Sequence, residues 1–387
     1  MATEAESTAA QRPLESYREL FPVTREKVYF NHASMGTLCT PVVAALTEHI
    51  DRHSRLGSAT TSTARELHQR TREKMAAFVG AEPGELAVVR NTPDALSIVA
   101  SGLSWQPGDR VIISDLEFPA NVFPWLNLAK KGVETVVIPS REGRIPTEDV
   151  INAIDDRTRL VSLSWVEFVN GYRNDLRTIG QTCRQYGVLL SVDAIQGLGA
   201  LRFDVREMNV DFFGASSHKW MLGPTGVGWF YCRRELIDRL ELSAVGQSSF
   251  QRTSDCSFLE YDLPLWPDAR RFEPGLANFL GLAGVEAILD LMVEVGIDRI
   301  EAQVKRLTDS LAAGLQERGY RLAAPRDGVH WSGIVSFSSD RYSSWELFRR
   351  LEEAGVSLSL REGFVRLSPH FYNNDEDVER FFAALPR

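Results

Sequence analysis

From about residue 30 to residue 250, the chain alternates between short apolar runs and longer amphipathic segments. The apolar runs are short and rich in β-branched residues, as buried strands are, and the segments between them have helical periodicity. The predicted strands are Leu86–Val89, Arg110–Ser114, Thr135–Ile138, Leu160–Leu163, Val188–Val192, Asp211–Gly214 and Gly228–Tyr231, and the predicted helices are Thr63–Val79, Pro93–Ser101, Ala120–Lys131 and Leu176–Tyr186. This alternation predicts an α/β fold with a large, doubly wound and mainly parallel sheet covered by helices on both faces.

The last third of the chain has a different pattern. Two long helical segments, Gly281–Val295 and Asp298–Arg318, precede an apolar run at Gly333–Phe337 and further helices at Ser344–Ala354 and Asp375–Leu385. This order predicts a smaller α+β domain at the C-terminal end.

The length of 387 residues exceeds the usual size of one hydrophobic core, which also favours two domains. The stretch 263–273 is rich in proline and charge, and we place the boundary at its end. The expected division is an N-terminal tail and arm at 1–26, a large domain at 27–272 and a small domain at 273–387.

Composition narrows the classes of partner. The chain is 44% hydrophobic and 25% charged, and no apolar run approaches the ~20 residues that span a bilayer. A net charge of −9 without a basic run argues against nucleic acid as a partner. The first residues lack the basic and apolar regions of a signal peptide. We therefore expect a cytoplasmic protein that acts on small molecules, away from membranes.

The four cysteines, Cys39, Cys183, Cys232 and Cys256, are far apart in the sequence. They form no CxxC pair and have no histidine at metal-ligand spacing. We expect reduced thiols, without a disulfide framework and without a bound metal.

Candidate chemistry lies directly after two predicted strands. Asp193 follows the strand Val188–Val192, and Lys219 follows Asp211–Gly214, 26 positions after the aspartate. Ligands of parallel α/β sheets bind outside the carboxyl ends of the strands, so both side chains are candidates for one site. Pyridoxal 5′-phosphate (PLP) needs this combination, because a lysine amine holds its aldehyde and a carboxylate keeps its pyridine nitrogen protonated.

The segments VDAIQGLGA and DFFGASSHKWMLGPTGVGWFY carry a resemblance to a known family. They resemble the class V aminotransferases of PLP fold type I, which include cysteine desulfurases, kynureninases and isopenicillin N epimerase-like proteins. The resemblance covers nearly the whole chain. It implies PLP bound as a Schiff base on Lys219 with Asp193 at the ring nitrogen, an amino-acid substrate, and a homodimer.

The resemblance also implies further cofactor contacts, each on a matching position. Thr92 and Pro93 open a helix directly after a strand, where free backbone N–H groups can bind the phosphate, although an ordinary helix cap would look the same. Ser216 and His218 resemble further phosphate ligands, and Gln196 resembles the side chain at the phenolic oxygen. Phe118 matches the ring stacked on the pyridine, with a core phenylalanine as the alternative.

Substrate contacts are implied near both ends of the chain. Arg366 aligns with the arginine that binds the substrate carboxylate, a task that suits its planar, permanently charged guanidinium. Arg361 is a second candidate for this contact. His32 falls where family members approach the substrate from the N-terminal strand.

Three departures from the family pattern bear on function. Desulfurases carry a mobile cysteine before the carboxylate arginine, but only residues 362–365 separate Arg361 from Arg366. In the loop that reaches the partner subunit's phosphate, Leu276 replaces the usual threonine, and either a backbone N–H or Asn278 is the substitute. The asparagine near the phenolic oxygen is replaced by Phe168, with Asn170 nearby.

These residues predict a PLP-dependent enzyme, with an aminotransferase as our first choice and a C–S lyase or an epimerase as the alternative. A PLP-binding regulator is the non-enzymatic alternative. Competing motifs are absent, because residues 223–228 lack the spacing of a dinucleotide or P-loop motif and no GxSxG occurs.

Overall fold

A computed structural model describes residues 12–252, 257 and 259–386. In chain order the strands are β1 Val28–Tyr29, β2 Leu86–Val89, β3 Arg110–Ser114, β4 Glu134–Ile138, β5 Thr158–Ser164, β6 Leu189–Asp193, β7 Phe212–Ser216, β8 Gly228–Cys232, β9 Arg321–Leu322, β10 Val335–Ser338, β11 Val356–Ser357, β12 Ser359–Arg361 and β13 Phe364–Leu367. The α-helices are α1 Thr40–Leu56, α2 Thr61–Val79, α3 Thr92–Gly102, α4 Phe123–Leu126, α5 Thr147–Asn152, α6 Leu176–Tyr186, α7 Phe279–Val295, α8 Ile297–Glu317, α9 Ser344–Glu353 and α10 Asp375–Ala384.

The central element is a seven-stranded sheet in the order β2-β8-β7-β6-β5-β3-β4. The strands from β7 to β4 are parallel to one another, whereas β8 is antiparallel to both of its neighbours. Strands β6, β7 and β8 are buried along their whole length, as expected for a sheet covered on both faces. The predicted mainly parallel α/β fold is confirmed.

The prediction of one continuous helix at Ala120–Lys131 is wrong. The structure has a 3₁₀ turn at Pro119–Asn121, the single turn of α4, and a second 3₁₀ segment at Asn127–Lys131. Pro124 lies inside this segment and lacks the N–H that a continuing helix needs, so it permits only a new helix start. The predicted helix α6 is confirmed, and it ends at Gly187 in the left-handed conformation.

The C-terminal part contains an antiparallel sheet in the order β12-β13-β10-β9. Helices α8, α9 and α10 contribute side chains to its hydrophobic cluster, and Val28 and Phe30 from the N-terminal segment join that cluster. The reason is strand pairing, because β1 runs parallel to β11 and Asn31 bridges to Ser368. The N-terminal segment thus reaches the C-terminal cluster, and the division at residues 272 and 273 stays a prediction.

Across residues 12–252, 257 and 259–386, no helix is long and apolar enough to cross a membrane. The same residues contain no group of histidine, cysteine and acidic side chains that could hold a metal ion. Cys39, Cys183 and Cys232 are buried free thiols, and Cys256 lies outside the described residues.

Candidate active site

A cavity of about 400 Å³ lies at the edge of the central sheet where β6 and β7 end. It brings together most of the residues that the sequence singled out. Its lining includes Ser34, Asn91, Thr92, Pro93, Phe118, Ala120, Phe168, Asp193, Gln196, Ser216, His218, Lys219, Arg361 and Arg366.

Lys219 lies three residues after the end of β7, in a turn held from the N-terminal segment by the hydrogen bond from Gly36 N–H to His218 O, 2.7 Å. A Cβ atom at Gly36 would lie 2.2 Å from the Lys219 carbonyl oxygen, so this approach requires glycine. Burial lowers the pKa of the Lys219 amine to about 8, opposed by Asp193 and reinforced by Arg366. Part of the population therefore has a free, nucleophilic amine at neutral pH.

Asp193 is the last residue of β6 and is buried at the floor of the cavity. Its Oδ1 accepts a hydrogen bond from the Ile195 N–H at 3.0 Å. Burial raises the pKa of Asp193 to about 6, while this hydrogen bond and Lys219 lower it. A cation held against Asp193 would favour its charged form, which is the situation that a protonated ring nitrogen provides.

The start of α3 is tied directly to the end of β7. Ser216 Oγ accepts from the Thr92 N–H at 2.9 Å, and Thr92 Oγ1 accepts from the Ser216 N–H at 3.0 Å. Asn91 caps the helix by accepting from the Asp94 N–H at 2.9 Å. This positive helix end faces the cavity with two hydroxyl groups and a proline at the second helical position, an arrangement suited to a phosphate.

Two phenylalanines form an aromatic wall. Phe118 and Phe168 meet edge to face with ring centroids 5.1 Å apart, and the Lys219 Nζ lies 5.5 Å from the Phe118 centroid. Phe118 is 42% exposed, so it is not the core phenylalanine of the alternative interpretation. Its open face could stack on a planar ring bound in the cavity.

Arg366, on β13, is 1% exposed. Its guanidinium donates to the Phe168 carbonyl at 2.6 Å, to Ser34 Oγ at 2.8 Å and to Ser359 Oγ at 3.0 Å. Burial lowers the pKa of Arg366 to about 9, with a further contribution from Arg361. Three neutral oxygens hold this cation in place without neutralising it, which leaves it able to bind an anion.

Two predicted contacts lie outside the cavity. The ring of His32 is buried, with Nδ1 2.7 Å from the Ser368 carbonyl oxygen and Nε2 2.7 Å from the Tyr372 hydroxyl. The amide of Asn170 donates to Gly143 O at 2.8 Å and accepts from the Tyr172 N–H at 3.0 Å. His32 thus bonds to one backbone carbonyl and one side-chain hydroxyl, and Asn170 bonds to backbone groups. Substrate binding by His32 and cofactor binding by Asn170 stay predictions.

Gln196 lines the cavity, but its amide has protein partners at both ends. Its Nε2 donates to Ala33 O at 3.0 Å, and its Oε1 accepts from the Trp220 indole at 3.0 Å. These bonds tie the N-terminal segment to the turn that carries Lys219. A contact with the phenolic oxygen stays a prediction.

Leu276 and Asn278 lie at a second cavity of about 670 Å³, which α3 and the loop before α7 also line. Leu276 is 74% exposed, and Asn278 caps α7 by accepting from the Gly281 N–H at 2.9 Å. This placement leaves Leu276 free to meet another subunit. The homodimer, and a role of either residue at a partner's phosphate, stay predictions.

A pair of buried glutamates, which sequence reasoning missed, lies behind the aromatic wall. Glu117 accepts from the Ser164 N–H and hydroxyl, both at 2.7 Å, and Glu167 Oε1 accepts from Asn174 at 2.8 Å. The Ser114 hydroxyl lies 3.4 Å from both carboxyl groups. Burial raises the pKa of both glutamates, and the pKa of Glu167 is raised further by Glu117. The only sequence signal was the position of Glu117 beside Phe118.

Comparison with known proteins assigns this architecture to a family. Residues 28–381 match the family described as aminotransferase class-V. The chain belongs to the class-V aminotransferase family. An uncharacterized aminotransferase, YcbU, of Bacillus subtilis is 33% identical, with 94% of this chain and 95% of YcbU covered. A probable cysteine desulfurase of Methanothermobacter thermautotrophicus is 31% identical, with the same shares covered. The apo structure of a cysteine desulfurase from Thermococcus onnurineus superposes with a TM-score of 0.89 at 27% identity, covering 97% of this chain and 98% of that one.

Class-V aminotransferases use PLP, and the cavity fits this cofactor. Within the described residues, neither Lys219 nor Asp193 has an ion-pair partner within 4.0 Å, so both are available to a ligand. Lys219 would hold the aldehyde, Asp193 the ring nitrogen, and the α3 terminus with Ser216 the phosphate. Phe118 would cover one face of the ring.

Asp193→Asn should still bind PLP but lose most activity, by about 100-fold or more, because a neutral amide cannot keep the ring nitrogen protonated. Bound PLP is measured by absorbance after gel filtration, and turnover is measured on the same sample. Near-normal turnover in this variant would show that another group holds the ring nitrogen.

Glu167→Gln should stabilise the protein at pH 8 by about 1–3 kcal/mol, because a neutral amide avoids the cost of a buried negative charge beside Glu117. The folded pKa of Glu167 is raised, so the folded state holds a proton that the unfolded chain loses above its own lower pKa. The stability of the wild type therefore falls as pH rises, and the gain in melting temperature should shrink at pH 4. Glu379→Gln, on an exposed face of α10, is the control. An equal gain at both pH values would contradict this interpretation.

Proposed function

We propose that this protein is a PLP-dependent C–S lyase that acts on a cysteine-type amino acid with a substituent on its sulfur. The sequence alone favours transamination, but the desulfurase relatives favour the alternative of carbon–sulfur bond cleavage. The observation that carries the proposal is the arrangement of Lys219, Asp193 and Arg366 around one cavity without a cysteine.

The proposed lyase differs from a desulfurase that passes the substrate sulfur to a cysteine, because no cysteine is among the described residues that line the cavity. Glu362 and Gly363, with φ values of 44° and 82°, form a tight hairpin turn between β12 and β13, so the segment between Arg361 and Arg366 leaves no room for a long mobile loop. The three described cysteines are buried, and none lines the cavity. Because no thiol lines the described part of the cavity to accept the sulfur atom, elimination is the simpler outcome.

PLP, when bound, supplies an electron sink for the electron pair left by the broken Cα–H bond. Arg366 binds the α-carboxylate and fixes the substrate with its Cα hydrogen near Lys219. The amine of Lys219, whose pKa is lowered to about 8, removes that proton at Nζ and returns it to the departing sulfur. Asp193 keeps its negative charge beside the ring nitrogen, and Phe118 covers one face of the ring.

Product analysis tests the proposal. The PLP-loaded protein is incubated with S-substituted cysteines and assayed for pyruvate, ammonia and thiol, which elimination forms in equal amounts. Alanine with transferred sulfur would indicate a desulfurase. Pyridoxamine phosphate with a 2-oxo acid that keeps its sulfur would indicate transamination, which the name of the B. subtilis relative makes the second candidate.

A further inference from the structure

Two arginines converge on one hydroxyl group at the wall of the cavity. Ser34 Oγ accepts from Arg366 Nη2 at 2.8 Å and from Arg361 Nη2 at 3.3 Å. Arg361 ends β12 and Arg366 lies on β13, two antiparallel strands joined by the short turn at Glu362 and Gly363. Both guanidinium groups therefore sit on one rigid hairpin and face the same space.

Neither arginine has an acidic partner within residues 12–252, 257 and 259–386. Arg361 donates to Leu360 O at 2.8 Å and to Ser34, and all the partners of Arg366 are neutral oxygens. A buried arginine elsewhere in the chain is paired differently, because Arg72 meets Glu273 at 2.7 Å. Two cations that lie side by side without an acidic partner repel each other, so this position favours the binding of anions.

One α-carboxylate neutralises the charge of only one of the two arginines. A guanidinium binds one carboxylate bidentately, and Arg366 is the buried member of the pair and the one with the larger electrostatic effect on Lys219. Arg361 is exposed and lines the same cavity, so it can meet the part of a bound amino acid that points toward solvent. A second anionic group on the substrate would neutralise the remaining charge.

We infer that the substrate carries two anionic groups: it is an S-substituted cysteine whose substituent bears a carboxylate or a similar anion that pairs with Arg361. The inference rests on the proposed C–S lyase function and specifies its substrate class. S-Carboxymethylcysteine is the simplest such compound. Its cleavage breaks the Cβ–S bond, moves the Cα proton to sulfur, and consumes one water, giving pyruvate, ammonium and mercaptoacetate.

A matched pair of substrates tests this inference. S-Carboxymethylcysteine and S-carbamoylmethylcysteine have the same shape and differ only in the charge of the substituent. The wild type should prefer the acid by about tenfold or more in kcat/KM, since one charge-assisted pair distinguishes them. In Arg361→Gln this ratio should fall to within about threefold, and Arg361→Lys should restore part of it. Arg349→Gln, an exposed arginine outside the cavity lining, should keep the wild-type ratio.

The ratio separates the two possible roles of Arg361. If both arginines hold the same α-carboxylate, Arg361→Gln will slow the acid and the amide equally, and the unchanged ratio will overturn the inference. Wild-type protein that uses the amide as well as the acid will also overturn it.

A binding measurement separates failure of this inference from failure of the proposed function. The dissociation constants of 2-aminoadipate, with a terminal carboxylate, and of norleucine, with a neutral side chain, are measured by calorimetry on wild type and Arg361→Gln. Tighter binding of 2-aminoadipate that the variant loses supports the second anion contact even if neither thioether yields pyruvate. Equal binding of both ligands to the wild type overturns it.

Discussion

Lys219→Ala should abolish turnover and remove the visible absorption band that PLP acquires when a lysine holds it. The reason is that no other side chain in the cavity lining is a primary amine that could both hold the cofactor aldehyde and move the substrate proton. Loss of the acid–base function alone costs about 10²–10⁴-fold, and loss of the covalent link adds to this. Absorbance spectra and product assays on the purified variant check this expectation.

Lys130→Ala is the matched control, because Lys130 is an exposed lysine outside the cavity lining. It should keep both the absorption band and the turnover of the wild type. A Lys219→Ala protein that stays yellow and active would show that a different lysine carries the cofactor.

Arg366→Ala should lower kcat/KM by at least about 30-fold while hardly changing PLP affinity. Losing one member of a desolvated, charge-assisted pair costs about 2–5 kcal/mol, and Arg366 is 1% exposed. The three neutral oxygens that hold its guanidinium give the variant no replacement cation at that position. Steady-state kinetics and a PLP titration measure the two effects separately.

The control for this prediction is a substrate whose α-carboxylate is replaced by an α-carboxamide. The wild type should use the amide poorly, and Arg366→Ala should discriminate little between the acid and the amide. If the wild type uses both equally well, or if Arg361→Ala is more damaging with a neutral substituent on sulfur, the α-carboxylate contact belongs to a different residue.

The core of the site could be predicted because it depends on strand ends. Asp193 ends β6 and Lys219 follows β7, and in a parallel sheet such positions meet at one edge whatever the details of packing. The role of Thr92 could be predicted for a similar reason, since a Thr-Pro pair after a strand indicates a helix start. These positions follow from local patterns of a few residues.

The parts that were missed depend on side-chain direction and long-range pairing. The segment before His32 pairs with β11, more than 300 residues away in the chain, and this pairing aims the ring at Ser368 and Tyr372. Ser34, which lines the cavity two residues later, carries no sequence signal of its own. No pattern in the sequence indicates Glu167 either, because it becomes buried beside Glu117 only when β5 and the turn after β3 come together.

The proposed bond between Lys219 and PLP has a direct chemical test. Borohydride reduces the carbon–nitrogen double bond between the cofactor and its lysine to a stable amine, so the modified residue survives digestion and can be located by mass spectrometry. We expect one pyridoxyl phosphate group per chain, on the peptide that contains Lys219. Modification of a different lysine, or a protein that takes up no cofactor when PLP is supplied, would contradict it.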